Sequence, residues 1–188
     1  ASVDQPKVSA IEVVTPGGTT TPPEEEEAPP PDEEEPPPPD EEEPIPPSPT
    51  DPTPFSWDGR ANSPIGRSEA QGAAVGTKVY VFGGFQTGTQ TTARSDVFDT
   101  VTNSWARLPD MPQELTHSPA AVDGRTIWLV GGYDGDHPGP ATRNVWKFDT
   151  VTRTWSAGPQ LPEPRGAGAA VVIGRQLHFF GGTNRVAG

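Results

Sequence analysis

Three short apolar runs, KVYVF (residues 78–82), TIWLV (126–130) and QLHFF (176–180), each lead directly into a Gly-Gly pair. Both alternating faces of each run are apolar, as with Val79 and Val81 against Tyr80 and Phe82, so each predicts a strand covered on both sides. Small-residue segments lie upstream: AQGAAVG, SPAAVDG and GAAVVIG. They close on Gly76, Gly124 and Gly174, where a tight turn into the apolar run is expected. After the first two Gly-Gly pairs, a polar loop leads into RSDVFDT or RNVWKFDT, a third strand. Asp99 and Asp149 then open turns in which a short acceptor side chain serves local amides. A fourth strand carries Trp105 or Trp155. The predicted unit is a four-stranded antiparallel sheet.

That unit recurs. FDTVTNSWARLPDMP (residues 98–112) returns fifty positions later as FDTVTRTWSAGPQLP (148–162), and the Gly-Gly pairs begin at Gly83, Gly131 and Gly181. Self-similarity on such a period marks an array whose sheets bury their faces only by stacking on one another. Glycine suits the end of the second strand for either of two reasons: a Cβ would clash where sheets crowd, or the backbone needs positive φ. Trp105 and Trp155 are expected buried in the wedge between sheets, each N–H reaching a carbonyl.

Four short strands, a terminal Gly-Gly, a late Trp and a period near fifty make residues 57–182 resemble kelch repeats, the blades of a β-propeller. The resemblance implies an all-β fold, a partial kelch-type propeller over residues 55–188. The expected contents are the last strand of one blade (55–64), two whole blades and the first two strands of a third, about two and a half blades in an open arc. Strand 176–180 would then show an unpaired edge, with the remaining blades in a longer chain. The chain begins with Ala1 rather than Met, which fits a processed protein or a piece of a longer one.

Residues 1–15 end in a short alternating segment, and DQPKVSAIEVV (4–14) resembles the closing strand of malectin-type carbohydrate-binding domains. The expectation is the terminal strand of a preceding domain. Between 16 and 54 lie 16 Pro and 13 Asp or Glu with no Lys or Arg, including the tandem APPPDEEE and PPPPDEEE. Such a segment cannot bury enough apolar area to offset chain entropy, and it reads as a disordered acidic spacer. A proline-motif ligand or a loose calcium binder is its alternative.

The charge of −13 resides in that spacer, because the rest balances 13 basic against 13 acidic residues. No basic patch argues for nucleic acid, and no run of eighteen apolar residues argues for a membrane span. Cysteine is absent, which excludes disulfides and thiolate metal sites.

Candidate chemistry lies in the loops. Alignment on the Gly-Gly pairs makes Arg67, Leu115 and Arg165 equivalent, and likewise Glu69, His117 and Ala167. The kelch resemblance puts these positions where the fourth strand of one blade leads to the first of the next, on a binding face shared with the loop between second and third strands. Arg67, Glu69, His117 and Arg165 are therefore candidate ligand contacts, with salt bridging within the loops as the alternative. YDGDHPGPATRN (133–144) adds Tyr133, Asp134, Asp136, His137 and Arg143. Asp134 and Asp136 lack the distal Glu of a calcium loop, and His137 and His178 lack zinc-site spacing, so neither a metal nor a cofactor is expected.

Galactose oxidase and sialic-acid mutarotase resemble this architecture. The oxidase needs a Tyr–Cys cofactor, and this chain has no Cys; a mutarotase needs a complete channel. Neither Gly-x-Ser-x-Gly nor a phosphate loop occurs. The expectation is a non-catalytic binding module of a bacterial extracellular or cell-surface protein, recognising a glycan or a surface protein. The alternatives are a propeller enzyme with catalytic residues outside this segment, or a structural spacer array.

Overall fold

The computed structural model describes residues 57–88, 90–135 and 139–184, and the backbone of Glu12–Val14. The spacer expected at 16–54 lies outside the described residues, as do Asp136 and His137. Residues 1–18 and 60–188 form one compact unit, whose architecture follows; the second, 19–59, is almost wholly outside the described residues.

All regular structure in the described residues is β. Strand β1 is Glu12–Val14. Blade I contains β2 (Gln71–Val75), β3 (Lys78–Phe82), β6 (Ser95–Asp99) and β7 (Ser104–Leu108), antiparallel in that order. Its loop between β3 and β6 folds into a small hairpin of β4 (Phe85–Gln86) and β5 (Gln90–Thr91). Blade II repeats the plan with β9 (Ala120–Asp123), β10 (Thr126–Val130), β12 (Val145–Asp149) and β13 (Thr154–Ala157). Beside it, β8 (Leu115–Thr116) pairs with β11 (Tyr133–Asp134). Blade III contributes β14 (Gly166–Ile173) and β15 (Gln176–Thr183).

The repeat is exact in register. Val79 faces Phe98, which faces Trp105; Ile127 faces Phe148, which faces Trp155. Local chemistry sets this register. Gly76, Gly124 and Gly174 take φ of 59°, 58° and 54° at the first position of two-residue hairpins, a conformation that matches strand twist. Asp99 Oδ1 accepts the N–H groups of Val101 and Thr102 at 2.9 and 3.2 Å, and Asp149 Oδ1 those of Val151 and Thr152 at 2.9 and 3.0 Å. Bonding from Lys78 first, then these amides, holds the Asp99 carboxyl below its ordinary range; for Asp149 the Thr152 amide is the largest cause.

Two apolar clusters join the blades. Tyr80, Phe82, Met111, Leu115, Ile127, Leu129 and Phe148 fill the junction of blades I and II. Val130, Val145, Leu161, Leu177 and Phe179 fill that of II and III. The Gly-Gly pairs sit where these junctions pinch, and both reasons for glycine hold. Gly83 and Gly131 have φ of 58° and 59°, and an added Cβ would lie 2.6 Å from the Leu115 carbonyl oxygen or 2.2 Å from that of Arg165. In the third pair, Gly181 has φ of 65° with nothing within 4 Å of a Cβ.

Two features differ from the sequence reading. The outer edge of β15 is not bare: β1 pairs antiparallel with it, Glu12 opposite Phe179, Val13 opposite His178 and Val14 opposite Leu177. The segment expected to be the terminal strand of a preceding domain thus pairs with β15, whose ladder groups an extended segment can meet.

The tryptophans are also only half buried. Trp155 does bridge blades: its ring lies 5.2 Å from Phe82 and 4.9 Å from Phe148, and its N–H donates to the Pro109 carbonyl at 3.1 Å. Trp105 touches Phe98 of its own blade and donates to Ala61 O at 2.9 Å. Full burial would have put Trp155→Ala at about 3–5 kcal/mol; half burial lowers the expected loss to about 2–3 kcal/mol. Trp105→Ala, with no ring from another blade against it, should cost about 1 kcal/mol less. Urea melts of both variants measure the difference.

Candidate functional site

The loops that lead into each first strand share one geometry. Ser68 bridges Phe85, Thr116 pairs with Tyr133, and Gly166 with Thr183, the same separation in sequence each time. The next residue breaks the strand by turning left-handed: Glu69 (φ 52°), His117 (54°) and Ala167 (59°). A conformation that glycine adopts freely is imposed here on three residues with side chains, at a cost of about 1 kcal/mol or more each.

Two of those side chains meet across the junction of blades I and II. His117 Nε2 lies 3.1 Å from Glu69 Oε2, and its Nδ1 lies 3.1 Å from Thr116 Oγ1. The imidazole stands edge-on to the Tyr133 ring at 5.3 Å. Glu69 keeps 48% of its side chain exposed. A shallow groove beside it is lined by residues 66–68 and 85–88. Glu114 and Asp134 are exposed nearby, Glu114 accepting from Thr91 Oγ1 at 2.6 Å and Asp134 paired with Leu115. The surface around the pair is therefore carboxylate-rich.

The other sequence candidates have different duties. Arg67 is a buried tie, its side chain only 3% exposed: Nη2 donates to Asp96 Oδ2 at 2.7 Å and Nη1 to the Arg94 carbonyl at 3.0 Å. Burial pushes its guanidinium below the ordinary value, and Asp96 opposes that push. Tyr133 is also buried, its ring packed against Gly166. Arg67 and Tyr133, expected as ligand contacts, have side chains buried among the loops, which they hold. Arg143 Nε donates to the Leu161 carbonyl at 2.7 Å, and Arg165 Nη2 to Glu163 at 3.1 Å. Asp136 and His137 lie outside the described residues, among which no three His, Asp or Glu side chains converge as a metal site would need.

The sequence reading missed Asp96 and Gln113. Asp96 is buried and pairs with Arg94, two residues before it, and with Arg67, 29 residues before it in another loop; the nearby Arg94 was the one local signal. Gln113 Oε1 accepts from Asn144 Nδ2 at 2.9 Å and Trp146 Nε1 at 3.3 Å, which no sequence pattern reveals.

With two complete blades and a third begun, the fold defines a β-propeller assembly of kelch type. Residues 53–187 match the KLHDC2/KLHL20/DRC7 kelch-repeats domain family, and the chain belongs to the kelch-repeat family. It is similar to Kelch-like protein terF of Aspergillus terreus, 34% identical over 83 residues, which are 41% of this chain and 18% of that protein. Kelch-like protein 25 of Xenopus tropicalis is 32% identical over 80 residues, 42% of this chain and 13% of that protein. An F-box/kelch-repeat protein of Arabidopsis thaliana is 35% identical over 63 residues, 34% and 18% respectively. The matched part of this chain thus spans less than a fifth of each relative, whose lengths exceed the blades described above.

Proposed function

We propose that this chain is a non-catalytic interaction module that recognises another protein through the face around Glu69 and His117. One observation carries the proposal: repeat-equivalent positions in blades I and II hold Glu and His in a left-handed backbone where glycine would be less strained. Side chains kept at such a cost, partly exposed and rigidly mounted on a sheet, are suited to contact a partner. Exposed Glu69, Glu114 and Asp134 favour a partner segment with Lys or Arg. A glycan partner, with an extracellular or cell-surface setting, is the second reading; it draws on the likeness of residues 4–14 to a sugar-binding domain. The burial of Tyr133 counts against it, since sugars stack on exposed rings.

The variant Glu69→Gly with His117→Asn separates binding from folding, because both new residues accept left-handed φ. Its stability should stay within about 1 kcal/mol of the parent, relief of strain offsetting a partly exposed contact between Glu69 and His117. Its recovery of proteins captured by the parent chain should fall at least tenfold. Equal capture by both chains, or strong parent binding on a glycan array that the variant keeps, would overturn the reading.

A further inference from the structure

Aspartate precedes glycine three times in the chain, at Asp58–Gly59, Asp123–Gly124 and Asp134–Gly135. The pair has a chemistry of its own. With no Cβ beside it, the glycine amide nitrogen can reach the carboxyl carbon of the preceding aspartate and close a succinimide ring. Closure requires the aspartate to leave the extended ψ of a strand, and the glycine N–H to be released from any acceptor.

The fold treats the three pairs differently. Asp123 ends β9 opposite Thr126, and Gly124 is set at φ 58° by the hairpin turn. Asp134 lies in β11 opposite Leu115; its N–H donates to the Pro140 carbonyl at 2.9 Å, and the Gly135 N–H donates to the Glu114 carbonyl at 3.2 Å. Asp58 and Gly59 are exposed and belong to no ladder, and the Gly59 N–H donates to no acceptor among the described residues. Two of the three bonds are therefore locked, and the one before blade I is not.

We propose that Asp58–Gly59 is a modification site, where the backbone rearranges to an isoaspartyl linkage that a carboxyl methyltransferase recognises. The Gly59 nitrogen bonds to Asp58 Cγ, and the Cγ hydroxyl leaves as water with the amide proton. Water then adds to the Asp58 main-chain carbonyl carbon, whose bond to nitrogen breaks. The chain now runs through the side-chain carbonyl and is longer by a methylene, the main-chain carboxyl is freed, and nothing is oxidised or reduced. A sulfonium methyl donor passes its methyl group to that carboxylate and becomes a thioether. The inference uses no residue of the protein-binding face above.

The position decides what the change does. Just beyond it, Ala61 is fixed to blade I by both of its main-chain groups: its N–H donates to Asn103 Oδ1 at 2.9 Å, and its carbonyl accepts from Trp105 Nε1 at 2.9 Å. The added methylene therefore alters the course of the chain before Ala61 and leaves the blades as they are. Urea melts of the rearranged chain should keep the parent's midpoint. A lowered midpoint would place this bond within the folded blades and overturn the reading.

The site itself is tested on the full chain, held at neutral pH and body temperature and then exposed to an isoaspartyl methyltransferase with a labelled methyl donor. Cleavage after Arg60 separates Asp58 from Asn62, whose deamidation gives the same linkage. Label at Asp58 should exceed that at Asp123 or Asp134 by roughly tenfold or more, because reaction at those two waits on local opening of a ladder. In urea the three should label alike. Gly59→Val has room for its side chain and should suppress the label at Asp58, since a branched Cβ crowds the attacking nitrogen. No label at Asp58, label at Asp123 or Asp134 equal to it or ahead of it in the folded chain, full labelling of Gly59→Val, or a preference for Asp58 that persists in urea would each overturn the proposal.

Discussion

Gly131→Ala should cost about 4 kcal/mol or more, a large share of what holds a domain of this size together. Two penalties combine. Alanine at φ 59° costs about 1–2 kcal/mol for its left-handed backbone alone. The new Cβ would also lie 2.2 Å from the Arg165 carbonyl oxygen, a backbone atom that cannot rotate away. Relief would require blade III to move off blade II, stretching the Gly132 N–H to Arg165 carbonyl bond of 2.8 Å and opening the cluster around Leu161 and Phe179. Gly181→Ala is the control. That residue occupies the same place in its repeat at φ 65° with open space around it, so only the conformational penalty of about 1–2 kcal/mol applies. Chemical denaturation of both variants isolates the contact between blades as the difference. Equal losses at 131 and 181 would mean that backbone conformation alone fixes glycine at this place.

Strand order within the blades followed from apolar runs, hairpin glycines and Asp turns, because each reflects chemistry within a few residues. The Gly-Gly pairs were legible as a feature with two possible causes; only the positions of Leu115 and Arg165 in the neighbouring blade show that both operate. Trp155 was placed between blades correctly, Trp105 packs on Phe98 of its own blade instead, and both were given too much burial, since recurrence fixes which residues repeat but not how far a ring projects from the sheet edge. Alignment of repeats made Glu69 and His117 equivalent, and the structure brings them together, yet nothing local announces left-handed backbone at an ordinary Glu or His. The pairing of β1 with β15 joins residues more than 160 positions apart, and no periodic signal connects them. The burial of Arg67 was not legible for a simpler reason: an Arg in a loop reads as exposed until a carboxylate beneath it is known.

That carboxylate supports the second large effect. Asp96→Ala should destabilise the chain by about 3–5 kcal/mol, the cost of removing one partner from a buried ionic group. The Asp96 side chain is 1% exposed and accepts three charged bonds: Arg67 Nη2 at 2.7 Å, Arg94 Nε at 2.8 Å and Arg94 Nη2 at 2.9 Å. Removing it leaves Arg67 buried and also close to the Arg94 and Arg107 charges, with no carboxylate to offset them. Arg94 loses less, being partly exposed and able to turn to water. The loss should therefore be recovered unequally by second-site changes. Arg67→Met placed on Asp96→Ala removes the stranded cation and fills its space, and should restore most of the stability, as exchanging a buried ion pair for apolar side chains commonly does. Arg94→Met on the same background should restore little. Because Arg67 fixes the loop that ends at Glu69, Asp96→Ala should also weaken partner capture, whereas the Arg67→Met rescue should recover stability ahead of binding. A double-mutant cycle across positions 67, 94 and 96, read by urea melts, measures each coupling. If both rescues perform alike, Arg67 is no more dependent on this carboxylate than Arg94 is, and its burial has been given the wrong weight.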